Sequence, residues 1–165
     1  MLRAAWQLAS ERRIVSGGST ITMQLARNTV LTSEKTLRRK LKEVFLAMRL
    51  EREYSKQEIL TLYLNRIFLG QRAYGIGAAS EVYFDKSVHD LTVAEAALIA
   101  GLPRSPSLDN PVASSTRAHD RRAYVLRRML ELGKIDQAGH DAALDAPISR
   151  TVRKTGLALL VVLFA

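Results

Sequence analysis

The 165-residue chain has no cysteine, which excludes a disulfide scaffold, a thiolate metal site and a cysteine nucleophile. Aromatic residues are few, with one Trp, five Tyr and four Phe. None interleaves with the basic stretches as a stacking platform for single-stranded nucleic acid would. The histidines, His89, His119 and His140, stand far apart in different predicted elements and lack metal-ligand or triad spacing, so surface positions are expected for them. Long apolar runs are missing too. The longest, Leu157 to Ala165, falls short of the roughly 20 residues that span a bilayer, and Arg12 and Arg13 interrupt any signal-peptide core. The chain is therefore expected to carry neither signal nor transmembrane anchor of its own. Residues 147–165, with Arg150, Arg153 and Lys154 ahead of that run, read as a basic and apolar tail, unrelated to what precedes it or truncated.

Cations outnumber acids, 25 Lys+Arg against 16 Asp+Glu, for a net charge of +9. That excess favours an anionic partner: nucleic acid, a phospholipid surface or a phosphorylated substrate. An apolar fraction of 47% with 25% charged residues is ordinary for a folded domain, and the length suits one domain with a real core.

The pattern before residue 146 is helical nearly throughout, and the predicted class is all-α. A short helix is expected over about Leu2 to Arg12, followed by a break at Gly17-Gly18. Ser19 or Thr20 then opens a helix to about Asn28. Ser33 is the expected N-cap of a long helix to Tyr54. At 100° per residue Leu37, Leu41, Val44 and Met48 share one of its faces, with Lys35, Arg38, Arg39, Lys42 and Arg49 opposite and Glu43 at the edge. Capping boxes at Ser55-x-x-Glu58 and Thr92-x-x-Glu95 start helices to Asn65 and Gly101, and Pro103 prevents continuation of the second. Between them, Gly70, Gly75 and Gly77 predict loops around a short helix at Ala78 to Tyr83. Thr116 to Leu132 is amphipathic, with Val125, Leu126 and Met129 inward and Gly133 as its stop signal. Asp136 to Leu144 forms a last short helix.

Two segments invite chemistry. The cations on the long helix repel one another, and they form either a solvated surface face or a phosphate site in which Arg forks and Lys point charges gather oxygens. Glu43 beside Arg39 and Lys40 is most simply an ion-pair partner; the same carboxylate is also suited to hold a divalent cation or tune a reacting hydroxyl. The stretch Gly17-Gly18-Ser19-Thr20-Ile21-Thr22-Met23-Gln24 places hydroxyls and amides at a helix start, a natural anion seat or an ordinary capped helix. It lacks the Gly-Lys-Ser/Thr ending of a P-loop, so nucleotide hydrolysis is not supported. Arg104-Ser105-Pro106 predicts a loop with Arg104 available to an anion, and Tyr63 and Asn65 fall at a helix end, suited to packing and capping.

Taken together these stretches resemble the family 51 glycosyltransferase domain of bifunctional, class A penicillin-binding proteins, most closely its 1A-type subgroup. The resemblance rests on GGSTITMQLARN (Gly17 to Asn28), RRKLKE (Arg38 to Glu43), KQEILTLYLN (Lys56 to Asn65) and GLPRSP (Gly101 to Pro106). AYGIGAASEVYF (Ala73 to Phe84) and LTVAEAALIA (Leu91 to Ala100) lie between them. It covers residues 2–146, so 1–146 is expected to be a partial glycosyltransferase domain of lysozyme-like helical fold.

The resemblance implies polymerisation of lipid II into β-1,4 glycan strands of peptidoglycan at the outer face of the bacterial cytoplasmic membrane. The partners it implies are lipid II, the growing undecaprenyl-pyrophosphate-linked strand and the membrane surface, and not nucleic acid. Glu43 matches the second essential glutamate, credited with assisting the pyrophosphate end, with a divalent cation (Mg or Mn) as the one implied cofactor. Arg27, Lys35, Arg39, Lys40 and Lys42 match positions around the donor phosphates, and Ser19, Thr20 and Gln24 match the donor-side loop and helix. Arg104 matches a further substrate-side position, while Lys56, Tyr63 and Asn65 match positions that shape the cleft.

Departures accompany the matches. The first family motif, a Glu-Asp pair followed by Phe and His-x-Gly, would precede Leu2, and its glutamate is the general base; losing such a base costs about 10²–10⁴-fold in rate. Met23 stands for a common Gln, Lys35 for Arg, and Asp85 for the Gly of Phe-Gly-Lys. The alternatives to the transferase reading are a non-catalytic fragment that binds lipid II or anionic lipid and, from charge alone, a basic helical nucleic-acid binder.

Overall fold

The computed structural model describes residues 19–30 and 36–148. The expected helix at 2–12, the Gly17-Gly18 break, Ser33, Lys35 and the tail beyond Ile148 lie outside them. Among the described residues all regular structure is helical, with a single isolated bridge between Phe68 and Tyr74, which agrees with the all-α expectation. The chain divides at Arg66/Ile67 into two compact units.

In the first unit, Thr20 starts α1 (Ile21–Val30), its hydroxyl accepting the Met23 amide at 3.2 Å. Thr22, Met23, Leu25 and Ala26 of this helix are buried, so the Met23 thioether fills core. The next helix, α2 (Leu37–Glu53), is capped by Thr36, whose hydroxyl accepts from the Arg39 amide. Thr36 has extended backbone, φ −111° and ψ 154°, so this helix cannot begin at the predicted Ser33. Ser55 caps α3 (Lys56–Arg66), with reciprocal bonds from the Ser55 amide to Glu58 and from the Glu58 amide to Ser55. The predicted box is therefore formed. Helix α1 packs against both α2 and α3.

The facing of α2 differs from what its apolar periodicity suggests. Its buried residues are Glu43 and Ala47, while Leu37 is 87%, Leu41 62%, Phe45 70% and Met48 52% exposed. Glu43, placed at the edge of the basic stripe by periodicity alone, sits at the centre of the inward face. Packing against α1 and α3 thus selects a face containing a carboxylate and leaves the leucine stripe in solvent.

In the second unit a tight turn comes first. The Ala73 amide donates to Gly70 O at 2.8 Å and the Leu69 amide to Ala73 O at 2.9 Å, and both central residues, Gln71 and Arg72, have positive φ. Gly70 is required here: at φ +87° a Cβ would lie 2.4 Å from the Pro106 carbonyl. Helix α4 (Gly75–Phe84) starts three residues earlier than predicted and takes in Gly75 and Gly77. The predicted box at Thr92 and Glu95 caps α5 (Val93–Gly101), and Lys86 pairs with Glu95 at 2.8 Å. Burial pushes the Glu95 carboxyl up, but the bonds from Lys86 and from the amide and hydroxyl of Thr92 outweigh it and hold the group below its ordinary value.

After a 3-10 turn at Leu102–Arg104 and the one-turn α6 (Pro106–Asp109), Ser114 caps α7 (Ser115–Glu131). Asp136 caps the final α8 (Gln137–Asp145). Ala94, Ala97, Leu126 and Ala143 form the core between α5, α7 and α8, with Val125 and Met129 packed against it. Gly133 has the expected positive φ past the end of α7.

Asp85 ends α4 with φ 53° and ψ 42°, a left-handed conformation that a Cβ disfavours by about 1 kcal/mol. Asp85→Gly is accordingly expected to be more stable than Asp85→Ala by about 1 kcal/mol in urea unfolding. Because both variants lack the carboxylate, the comparison isolates the backbone term, and equal midpoints would contradict it.

Candidate functional site

The first unit gathers its polar residues where α1 starts and α2 turns inward. Glu43 is 1% exposed. The Lys40 ammonium donates to Glu43 Oε2 at 2.6 Å and to the Ser19 hydroxyl at 2.8 Å. Arg39 Nε stands 3.5 Å from Glu43 Oε1, beyond good hydrogen-bond geometry, so that buried oxygen accepts no hydrogen bond. A lone carboxylate removed from water carries a desolvation cost of several kcal/mol, and the two cations one turn earlier offset it. Spacing explains the arrangement: positions i−4 and i−3 lie on the same helix face as i.

Ser19 and Thr20 stand just ahead of α1, whose first amides point out of the helix as at any N-terminus. Half-buried Lys40 links this helix start to the Glu43 carboxylate. Deeper in the unit the Tyr63 hydroxyl donates to Gln24 Oε1 at 3.3 Å. Burial pushes the Tyr63 phenol up, and the charge of Arg27 pulls it partly back. Four expected residues, Ser19, Arg39, Lys40 and Glu43, are thus in direct contact, with Gln24, Arg27 and Tyr63 forming a second group.

The others are placed differently. Lys42 is exposed on the far face of α2, and Asn65 is exposed in the last turn of α3. Arg104 is exposed on the 3-10 turn of the second unit. Lys56 is exposed but anchored, its ammonium 3.0 Å from Glu51 Oε2. Glu51 in turn accepts from the buried Thr22 hydroxyl at 2.7 Å. The bond from Thr22, then that from Lys56, holds the Glu51 carboxyl below its ordinary value. This Thr22–Glu51–Lys56 clasp ties all three helices together, and the sequence reading missed Glu51. The available signal was Thr22, a polar residue between Ile21 and Met23 on a helix expected to pack.

Among the described residues no group of three or more His, Asp or Glu side chains converges to hold a metal ion. Chemically, the cluster offers an ammonium, a guanidinium, a hydroxyl and a helix start to anionic oxygens, around one buried carboxylate. His89 and His119 are exposed and His140 is paired with Asp141 at 2.8 Å, all away from this cluster in sequence and in the second unit.

The ion pair is asymmetric, with side-chain exposures of 42% for Lys40 and 1% for Glu43. Lys40→Ala leaves a carboxylate buried, whereas Glu43→Gln leaves an ammonium that reaches water. Lys40→Ala is therefore expected to destabilise by about 1–3 kcal/mol more than Glu43→Gln, measured by denaturant unfolding. The reverse order would show that Glu43 is not held by Lys40.

Comparison with known proteins gives a consistent picture. The family described as Transglycosylase matches residues 1–130. Penicillin-binding protein 1A of Pseudomonas aeruginosa is 52% identical over 149 residues, 90% of this chain and 18% of that protein. Its Escherichia coli counterpart is 59% identical over 125 residues, 76% of this chain and 15% of that protein. The crystal structure of penicillin-binding protein 1A from Haemophilus influenzae superposes with a TM-score of 0.58 at 36% identity, over 88% of this chain and 19% of that one. The chain thus spans less than a fifth of the length of these relatives. With the family matched over most of its length and half or more of the residues shared with these two relatives, the chain belongs to the transglycosylase family.

Proposed function

We propose that this chain carries the donor-phosphate side of a peptidoglycan glycosyltransferase, the part that holds the pyrophosphate of lipid II or of the growing strand. The observation that carries this reading is the Ser19–Lys40–Glu43–Arg39 cluster, buried at its carboxylate and open at the Lys40 ammonium. In glycosyl transfer the bond from the sugar's anomeric carbon to the pyrophosphate oxygen breaks as the acceptor's 4-hydroxyl attacks. Negative charge builds on the departing phosphate oxygens. Lys40, Arg39 and Arg27 meet that charge with fixed cations, which stabilise it more as it grows. Glu43 orients Lys40.

A divalent cation fits this site only together with its substrate. Glu43 Oε1 is buried without a hydrogen bond, yet it is a single carboxylate beside two cations. Mg²⁺ characteristically takes one or two carboxylates and completes its shell with water and substrate phosphates. Glu43 would hold it, and when bound the ion would neutralise pyrophosphate charge. The base that accepts the proton of the attacking hydroxyl belongs, by the resemblance, to a Glu-Asp motif that is not among these 165 residues.

The outer face of α2 supports a membrane-surface partner rather than nucleic acid. Leu37, Leu41, Phe45 and Met48 are exposed, and Arg38, Lys42 and Arg49 are exposed beside them. An apolar stripe flanked by cations is the pattern of a helix lying at an anionic lipid interface. Among the described residues no helix is long and apolar enough to cross a membrane.

Two measurements test these assignments. Binding of lipid II, followed by fluorescence anisotropy in detergent, is expected to weaken about tenfold in Lys40→Ala, the loss of one charge-assisted contact. Affinity unchanged in Lys40→Ala would remove the phosphate assignment. Separately, Leu41→Glu combined with Phe45→Glu should lower partitioning onto phosphatidylglycerol vesicles by more than about tenfold. Folding stability should stay within about 0.5 kcal/mol, since both side chains are exposed. Undiminished partitioning would take α2 off the membrane.

A further inference from the structure

The second unit contains a buried cation that the transfer chemistry does not use. Arg122, on α7, is 2% exposed. Its Nη2 donates to the Leu144 carbonyl at 2.9 Å in the last turn of α8, which occupies one of five guanidinium donors. The Nε is buried with no hydrogen-bond partner. Among the described residues no carboxylate forms an ion pair with it. Burial alone lowers its affinity for the proton. An uncompensated buried charge is among the costlier features a fold can carry.

Arg122 lines an open cavity of about 590 Å³ together with Ser115, Thr116, His119 and Asp145. That size lies within the roughly 300–1,000 Å³ range of small-ligand pockets. The lining is ordered by helix geometry, since Ser115, His119 and Arg122 stand at i, i+4 and i+7 and share one face of α7. Ser115 and Thr116 are also the first two residues of this 17-residue helix. The Ser114 hydroxyl caps the Arg117 amide, leaving the amides of Ser115 and Thr116 without an acceptor inside the helix. The dipole of α7 adds partial positive charge at the same end. Asp145 is the one acid on the wall, and it excludes a bulky polyanion more than a small one.

We propose that this cavity binds a phosphate-type oxyanion. Its oxygens accept from the first-turn amides and hydroxyls of Ser115 and Thr116 and from His119, and Arg122 supplies the counter-charge. The volume beyond one phosphate leaves room for a small organic group. The site lies wholly within the second unit and stands independently of the donor-phosphate reading.

The test is an amide-resolved NMR titration of the whole 165-residue chain with inorganic phosphate, exchanged against chloride at constant ionic strength. Saturable shifts are expected at the Ser115 and Thr116 amides and the His119 ring, separable residue by residue from any phosphate taken up at Lys40. Arg122→Met is expected to weaken them by more than about tenfold. Because removing a buried guanidinium can unfold the unit, His119→Ala, at an exposed position, provides the second variant, with a loss of about threefold or more. Repeating the titration with phosphatidylglycerol vesicles separates the sources of the phosphate: shifts with soluble phosphate indicate a soluble ligand, and shifts with vesicles alone a lipid head group. No saturable shift at these amides with either probe, or unchanged affinity in His119→Ala, would overturn the proposal.

Discussion

Glu43 must be neutralised where it is buried, and much of the first unit follows from that requirement. A carboxylate at 1% exposure is tolerated only with a cation within a few ångströms, and on a helix the nearest positions are three and four residues away. Lys40 and Arg39 occupy them. Their presence fixes the rotation of α2: the face carrying Arg39, Lys40, Glu43 and Ala47 turns inward, and the stripe of Leu37, Leu41, Phe45 and Met48 turns out. The hydrophobic effect acting on α2 alone would favour the opposite rotation, since roughly 25 cal/mol is gained per Å² of apolar surface removed from water. A structure that accepts this loss keeps two cations and a hydroxyl around one buried carboxylate, and leaves an apolar stripe in solvent.

One helix thus serves two surfaces. Its inner face presents charge toward the start of α1, where Ser19 receives Lys40. Its outer face pairs apolar side chains with flanking arginines and a lysine. A lipid-linked pyrophosphate has the same two parts, an anionic head and an apolar tail at a membrane. The clasp of Thr22, Glu51 and Lys56 keeps α1, α2 and α3 in register. Lys56, though exposed, is tied to α1 through Glu51.

The second unit follows different rules. Small residues, Ala94 and Ala97 of α5 and Ala143 of α8, let these helices approach α7 around Leu126. At Gly101 the approach is tight, and a Cβ there would lie 3.1 Å from Arg121 Cβ. Arg122 is caught in this close packing. Its bond to the Leu144 carbonyl holds the end of α8, where a cation also suits the helix dipole. That bond leaves the buried Nε without a partner, in a side chain that lines an open cavity.

Local signals determined the helices. The capping boxes at Ser55 and Thr92 and Gly133 past α7 could be read directly, and the starts of α1 and α8 to within one residue, because each is an interaction among residues a few positions apart. The motif residues likewise named Ser19, Arg39, Lys40 and Glu43, within a larger set that includes Lys42, which is exposed on the far face of α2. Local signals failed at two helix starts: Thr36 rather than Ser33 caps α2, and glycines at 75 and 77 argue against a helix that forms regardless. Tertiary structure alone decided which face of α2 is buried, that Glu51 joins Thr22 to Lys56 across 29 and 5 positions, and that Arg122 rather than its neighbour Arg121 lies in the interior. Periodicity reports the faces a helix possesses. Which of them is buried depends on the charges and volumes that other helices bring to it, and those partners are distant in sequence.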